Sequence, residues 1–88
     1  MISVIITAYN VEDYISDSIK SVLEQTYKNV EIIVVLDKPI DNTEKIVDEL
    51  AQKDDRIRVI KNEVNVGAGM ARKLGIDAAN GEFVTFLD

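Results

Sequence analysis

Residues 32 to 36 form an unbroken apolar run, Ile-Ile-Val-Val-Leu, in which every residue but the last is β-branched. Such residues favour strands. A strand that is apolar at every position is typical of parallel sheets, whose two faces are both covered by helices. The run therefore predicts a buried central strand in an α/β domain, and the rest of the chain has to supply neighbouring strands and covering helices.

Strand-like and helix-like segments alternate along the chain. The predicted strands are residues 2–6, 31–36, 57–60 and 83–87, and apolar residues at helical spacing occupy the three stretches between them. This alternation predicts right-handed crossovers and a parallel sheet with helices on both faces, a Rossmann-like architecture. A chain of 88 residues has room for one such domain, so we treat residues 1–88 as a single unit.

Polar residues mark the expected starts of the first two helices. Asn10 is a candidate cap for the first helix, with Asp13 in its first turn. Asp41 precedes the second helix and Glu44 follows three residues later, a spacing typical of a capping box. We expect Asp41 to act only as a cap.

The predicted strands are followed by residues that can bind a ligand. Thr7, Ala8 and Tyr9 follow the first strand, Asp37 follows the second, and Asp88 follows the fourth. The carboxyl ends of parallel strands meet at one edge of a sheet, where open α/β sheets bind their ligands. A simpler interpretation stays open for Thr7 as a helix cap and for Asp37 as a turn residue.

Simpler structural roles also apply to residues elsewhere. Gly67 and Gly69 precede a third helix, but their spacing matches neither the dinucleotide-binding fingerprint nor the P-loop, so turn glycines are favoured over phosphate binders. Tyr14 and Tyr27 are expected to be packing residues.

Composition narrows the possible ligands and locations. A net charge of −6 disfavours nucleic acid as a partner. Because the chain lacks histidine and cysteine, a metal would be held by carboxylate oxygens, which favour Mg²⁺ or Mn²⁺. The apolar run at residues 4–6 falls far short of the roughly 20 residues of a membrane span, and no basic segment precedes it. We therefore expect no membrane segment, no signal peptide and a cytoplasmic location.

Five blocks, in order and covering essentially the whole chain, resemble the motifs of family 2 glycosyltransferases of the GT-A fold. They are SVIITAYN from residue 3, SVLEQTY from 21, EIIVVLD from 31 with DNT from 41, NVGAGMARKLGI from 65, and ANGEFVTFLD from 79. The last block resembles the segment that opens the family's D-x-D motif. The resemblance implies the N-terminal, nucleotide-sugar-binding part of such an enzyme, with strand order 3-2-1-4 and the switch point between the first and fourth strands.

The resemblance also implies roles for the edge residues. Thr7, Ala8 and Tyr9 would line the pocket for the donor base, and Asp37 would accept a hydrogen bond from the edge of that base, with a UDP-sugar as the expected donor. Asp88 would be the first acid of the D-x-D motif, near the ribose and a divalent metal, Mg²⁺ or Mn²⁺. The full enzyme would transfer the sugar to an acceptor hydroxyl with inversion.

Departures from the family pattern bear on the donor. Leu36 stands where the first acid of an acidic pair is usual, residues 38–40 replace Gly-Ser-Thr, and Lys73 stands where asparagine is common. The replacement at residues 38–40 alters the backbone freedom of the turn after the second strand. All three departures bear on which base the domain prefers, but they leave the fold pattern intact.

The chain is expected to be a truncated donor-binding domain that does not transfer sugar alone. No residue can be assigned as the general base, and the last acid of the D-x-D motif would lie beyond Asp88. We expect weak or undetectable nucleotide binding by the chain alone. A non-catalytic Rossmann-like binding or interaction module stays an alternative. A receiver-like or flavodoxin-like module is disfavoured, because receiver domains need acids after the first strand and none follows it here.

The apolar sequence of the fourth strand predicts that the chain associates with itself. Residues 83–87 are apolar apart from Thr85, and no proline interrupts them. Edge strands of this kind pair with other chains unless charge, proline or a bulge prevents it. We expect a homodimer, or a swapped or strand-paired assembly, through Phe83–Leu87. A monomer whose first helix or C-terminal tail covers the strand is the alternative.

Overall fold

The sheet has the parallel order that the family resemblance predicts. The computed structural model describes residues 1–25 and 28–87, and within them four strands alternate with three helices. The strands are β1 (Ile2–Ala8), β2 (Val30–Leu36), β3 (Ile57–Lys61) and β4 (Phe83–Phe86), and the helices are α1 (Ile15–Leu23), α2 (Thr43–Lys53) and α3 (Ala68–Ala78). The order β3-β2-β1-β4, with all neighbours parallel, confirms the predicted order 3-2-1-4.

β2 is the buried centre of the sheet, as its apolar run predicts. All seven of its residues are buried, because β1 and β3 flank it and helices cover both faces. Side chains alternate between the faces. Ile32, Val34 and Leu36 pack on the side of α1 and α2, whereas Ile33 and Val35 pack on the side of α3. None of the helices in the described ranges is long and apolar enough to cross a membrane.

α3 packs closely on the sheet because its contact face carries small residues. Ala71 and Gly75 are its buried residues. A Cβ atom added at Gly75 would lie 2.5 Å from Cγ2 of Ile5 in β1. The absence of a side chain at position 75 therefore sets the distance between α3 and β1.

α1 begins later than predicted. Its first residue is Ile15, and Asn10 lies five residues earlier with a φ of 52° in the left-handed region. The side-chain oxygen of Asn10 accepts a hydrogen bond from the backbone N–H of Ile40 (2.9 Å). The capping prediction for Asn10 is therefore wrong, because its side chain has a tertiary partner, and Asp13 also precedes the helix. Tyr14, expected to be a packing residue, is 70% exposed.

Asp41 does more than cap α2. Its Oδ1 accepts the N–H of Thr43 (2.9 Å), as a capping residue would, but its Oδ2 accepts the N–H of Glu12 (3.2 Å) in the loop after β1. Glu44 does not complete a capping box; it pairs with Lys61 of β3 (3.5 Å). The prediction that Asp41 acts only as a cap is wrong, since it also ties two neighbouring loops together.

Candidate functional site

A pocket of about 490 Å³ opens at the carboxyl edge of the sheet, where β1 and β2 end and α3 begins. Its lining residues are Thr7, Ala8, Tyr9, Val11, Asp37, Asn65, Gly67 and Ala68. Four of the five site residues predicted from the sequence thus line one pocket. The fifth, Asp88, lies outside the described residues, as does Tyr27.

The first three lining residues reach the pocket because β1 runs to Ala8, two residues further than predicted. By strand alternation, Thr7 lies on the same face as Ile5, which packs against α3. Thr7 is thus a strand residue and not a cap for α1. The carbonyl of Ala8 accepts the N–H of Asp37 (3.0 Å), which joins the ends of β1 and β2. Tyr9 follows with about half of its surface exposed (48%) and offers an aromatic face at the pocket.

Asp37 is buried in the pocket wall, and its carboxylate accepts three hydrogen bonds. Oδ1 accepts the side-chain amide of Asn62 (3.1 Å) and the N–H of Val66 (2.8 Å), and Oδ2 accepts the N–H of Gly67 (2.9 Å). Burial raises the pKa of Asp37, but the three N–H donors outweigh burial and hold the pKa below its usual value. Asp37 is therefore ionised at neutral pH. It anchors the loop before α3, which is more than the role of a turn residue.

The loop before α3 has further bonds to the end of β2. The side-chain amide of Asn65 donates to the carbonyl of Asp37 (3.0 Å), and the N–H of Asn62 donates to the carbonyl of Leu36 (3.0 Å). Gly67 has a φ of 88° and a ψ of 160°, a conformation that is essentially restricted to glycine. Sequence reasoning identified the turn glycine and placed Asn65 in this loop, but it did not predict the hydrogen bonds of Asn62 and Asn65. The Asn-Val-Gly pattern at 65–67 was the available signal.

The N-terminus of α3 gives the pocket a partly positive end. The first N–H groups of a helix lack intrahelical partners, and the helix dipole favours an anion there. Ala68 is the first residue of α3, and no acidic residue lies in its first turn. Together with the ring of Tyr9 and the carboxylate of Asp37, this end allows the pocket to bind a molecule with a planar ring, an N–H donor and a negative charge.

Hydrogen bonds between two loops hold the pocket rim. The N–H of Val11 donates to Oγ1 of Thr43 (3.0 Å), and the N–H of Asn42 donates to Oε2 of Glu12 (3.2 Å). With the bonds of Asn10 and Asp41 already described, they join the β1–α1 loop to the β2–α2 loop. These bonds therefore fix the spacing between the loops that follow β1 and β2.

The described residues do not by themselves provide a metal site. Residues 1–25 and 28–87 contain no cluster of three or more acidic residues positioned to hold a metal ion. The carboxylate in the pocket, Asp37, already accepts three N–H groups.

Comparison with known proteins agrees with the fold. The chain is 40% identical to glycosyltransferase GlyG of Streptococcus pneumoniae over 88 residues, which is all of this chain and 29% of GlyG. It superposes on the crystal structure of Staphylococcus aureus TarS 1–349 in complex with UDP-GlcNAc with a TM-score of 0.90 and 36% identity, over 99% of this chain and 26% of TarS 1–349. The chain therefore spans roughly a quarter to a third of the length of these relatives.

A third comparison bears on the fold alone. The mannosyltransferase PcManGT of Pyrobaculum calidifontis, solved with GDP-Man and Mn²⁺, matches with a TM-score of 0.87 and 24% identity, over 97% of this chain and 26% of that protein.

The family model described as glycosyl transferase family 2 matches residues 3–88. The chain thus belongs to glycosyl transferase family 2 and corresponds to the N-terminal, GT-A part of its members.

Proposed function

We propose that residues 1–88 are the donor-binding N-terminal domain of a glycosyltransferase that transfers a sugar from a nucleotide-sugar to an acceptor hydroxyl. The observation that supports this most is the 490 Å³ pocket, because it is lined by Thr7, Tyr9 and Asp37, the residues for which the family resemblance implies a role in binding the base. The chain is also 36% identical to the part of TarS that aligns with it, and TarS was solved with UDP-GlcNAc. A UDP-sugar is therefore the proposed donor.

The geometry suggests how such a donor is held. Oδ2 of Asp37 accepts one N–H, from Gly67, and a carboxylate oxygen has room for a second. This oxygen is the proposed acceptor for the N–H of a uracil ring that stacks beside Tyr9. The diphosphate then lies towards the N-terminus of α3, whose free N–H groups offset part of its charge. Such a local offset is needed, because the chain carries a net charge of −6.

A divalent metal, Mg²⁺ or Mn²⁺, is the proposed cofactor of the full enzyme, with Asp88 as one of its ligands. The support is the resemblance of the block that ends in Asp88 to the start of the D-x-D motif, together with the oxygen ligands that these ions prefer. When bound, such an ion offsets the negative charge that develops on a leaving diphosphate. The residues of this chain contribute binding and orientation.

The chain alone is proposed to bind nucleotide weakly and to transfer no sugar. None of its residues is assigned as the general base, and Asp88 is the only acid of the D-x-D motif that the chain contains. The alternative function is a non-catalytic Rossmann-like binding module. The two differ in ligand, because only a donor domain should select uridine diphosphate compounds at this pocket.

Two tyrosine variants test the proposal. Tyr9 lines the pocket, whereas the more exposed Tyr14 does not. Stacking of a base on an aromatic ring contributes about 1–3 kcal/mol. We therefore expect Tyr9→Ala to weaken UDP-GlcNAc binding by at least about fivefold in ligand-observed saturation-transfer NMR, and Tyr14→Ala to leave it unchanged. Equal binding by both variants would remove the pocket as the donor site.

We also propose that a second copy of the chain pairs along β4. Within the described residues β4 pairs only with β1, and Phe83, Val84 and Phe86 are each at least 40% exposed. An antiparallel pair about a two-fold axis is the simplest closed arrangement. Sedimentation at several concentrations should show a dimer that dissociates on dilution and that Val84→Lys abolishes. A monomer at all concentrations would contradict the pairing.

A further inference from the structure

A buried polar cluster lies at the opposite edge of the sheet from the pocket, where the strands begin. At its centre is Glu31 of β2, which is 6% exposed. Its Oε2 accepts the hydroxyl of Ser3 (2.6 Å) and the N–H of Asn80 (2.6 Å), and its Oε1 accepts Nη1 of Arg58 (3.0 Å). The N–H of Gly81 donates to the hydroxyl oxygen of Ser3 (2.8 Å). We call these five residues the Glu31 cluster.

The Glu31 cluster connects three strands to the segment between α3 and β4. Arg58 of β3 also donates to the carbonyl of Ala78, the last residue of α3 (2.8 Å). Burial raises the pKa of Glu31, but the donors from Ser3, Asn80 and Arg58 outweigh it, so the pKa lies below its usual value and the carboxylate stays charged. Within the described residues, each hydrogen-bond donor to the Glu31 carboxylate comes from β1, from β3 or from the segment that leads into β4.

β4 needs such a connection because its own side chains specify its register weakly. All four of its residues are exposed. Register is strongly specified only where one face of a strand is buried, and a slip of one residue moves the strand by roughly 3.3 Å and reverses its faces. β4 nevertheless pairs with β1 in a defined register, Ile2 opposite Phe83 and Ile5 opposite Phe86.

Gly81 supplies a steric reason for that register. A Cβ atom at this position would lie 2.7 Å from the carbonyl oxygen of Met1 and 2.8 Å from the backbone nitrogen of Ser3. A slip of one residue would bring Asn80 or Glu82, which have side chains, into this contact with the backbone of β1. The chain can make this approach only with glycine there.

We propose that the Glu31 cluster is a register clamp that sets the position of β4 along β1, and that it thereby sets where the end of β4, at Leu87, lies relative to the donor pocket. The N–H of Leu87 donates to the carbonyl of Ile5 (3.0 Å), so the far end of β4 is aligned with β1 two residues before Thr7. The functional half of this inference rests on the proposed donor site, because Asp88 follows Leu87. Glu31 and Ser3 are positioning residues that act across the length of the sheet.

Amide hydrogen exchange of Ser3→Ala tests the clamp without any ligand. Two amides report on β4, since Glu82 donates to Met1 and Leu87 donates to Ile5. We expect both to exchange at least tenfold faster relative to the amides of β2, with loss of the nuclear Overhauser contacts between Ile2 and Phe83. Ser21→Ala, whose hydroxyl bonds only locally to the carbonyl of Ser18 and is exposed, is the matched control and should change neither.

Arg58→Ala provides a second variant in case Ser3→Ala does not fold. Because its side chain is 43% exposed, we expect the chain to stay folded when it is removed, with about threefold faster exchange at Glu82 and Leu87 relative to β2. An unchanged ratio of β4 to β2 exchange rates in a folded variant would overturn the clamp. So would a uniform rise in both strands, because that is a loss of general stability.

A titration with UDP-GlcNAc separates the clamp from the donor site. In wild-type protein we expect chemical-shift changes at Ala8, Gly67 and Leu87. In Ser3→Ala we expect Ala8 and Gly67 to keep their changes and Leu87 to lose its change. Retention at Leu87 would overturn the positioning role, whereas no change anywhere in wild-type protein would overturn the proposed function and leave the exchange result standing.

Discussion

β2 and β4 flank β1 and both run towards the carboxyl edge of the sheet, where the pocket opens, but they are held in different ways. Every residue of β2 is buried, between two strands and under helices on both faces. Every residue of β4 is exposed, and within the described residues it pairs on one side only. β2 is held along its whole length by packing, whereas β4 is held by its backbone pairing with β1 and, just before its start, by a hydrogen bond and a close backbone contact at Gly81.

The difference shows that strands ending at the same edge of one sheet can be held mainly by side-chain packing or mainly by backbone pairing. Asp37 directly follows β2. Its carboxylate accepts the N–H groups of Val66 and Gly67, and these bonds anchor the loop before α3 to the end of β2. β4 directly precedes Leu87 and Asp88. The position of β4 depends on its register with β1 more than on the packing of its side chains. We infer that the side of the pocket formed by the ends of β1 and β2 is held in place by these bonds.

The largest expected effect compares core packing in the two strands. Ile33 of β2 is fully buried, whereas Phe83 of β4 is 68% exposed. Ile33→Ala should lower the free energy of unfolding by about 3 kcal/mol because it leaves a cavity. Phe83→Ala should change it by less than about 0.5 kcal/mol. Urea denaturation of both variants measures this, and similar losses would show that β4 packs as β2 does.

The next effect tests the end of β2. Asp37→Asn replaces an acceptor oxygen with a donor and opposes one of the three N–H groups, so we expect a loss of about 1–3 kcal/mol at neutral pH. The folded pKa of Asp37 is depressed. Its contribution is therefore fully present above the unfolded pKa, about 3.9, and is lost as the pH falls through the lower folded pKa.

Urea denaturation between pH 7 and pH 2 checks this pH dependence. The difference between wild-type protein and Asp37→Asn should be constant at neutral pH and shrink below about pH 4. Asp55→Asn, in the turn before β3, is a control for removal of one charge. A difference that persists unchanged at pH 2 would show that the ionised carboxylate is not what anchors the loop.

A pair of glycine variants tests the loop that Asp37 holds. Gly67 has a φ of 88°, Gly69 lies within α3, and an added Cβ would meet nothing within 4 Å at either position. Gly67→Ala should cost about 1–2 kcal/mol through backbone strain alone. Gly69→Ala should stabilise the chain by about 0.5–1 kcal/mol, because alanine favours the helix. Thermal unfolding checks both, and equal effects would rule out strain at position 67.

The smallest effect concerns the turn after β2. Lys38 has a φ of 58°, a conformation that costs a residue with a side chain about 1–2 kcal/mol. Lys38→Gly removes this cost but increases the freedom of the unfolded chain, so we expect a net gain of about 0.5 kcal/mol in chemical denaturation. Lys38→Ala keeps the strain and should give no gain. A gain in Lys38→Ala would show that the charge matters and the backbone does not.

The fold was predictable because its signals are local. The apolar run of β2 and the alternation of strands and helices depend on neighbouring residues, and the family resemblance supplied the strand order. The capping prediction for Asn10 was wrong because its side chain bonds to Ile40, thirty residues away. No local pattern contains such a partner.

The sequence predicted residues that line the pocket, but it did not predict the hydrogen bonds that Asp37 accepts there. Strand ends identify Thr7, Tyr9 and Asp37, since parallel strands finish at the same edge. The donors to Asp37 come from residues 25 to 30 positions later, so the anchoring role required three-dimensional information. The role of Asp88 stays a prediction, because that residue lies outside the described part of the chain.

The central proposal is that the pocket at the ends of β1 and β2 binds a nucleotide-sugar. The most direct test is a titration of the ¹⁵N-labelled chain with UDP-GlcNAc, followed at every backbone amide. We predict saturable changes with a dissociation constant in the millimolar range, about −4 kcal/mol, concentrated at Ala8, Tyr9, Gly67 and Ala68. No saturable change up to about ten times that concentration, or changes concentrated in β3 and α2 instead, would contradict the account.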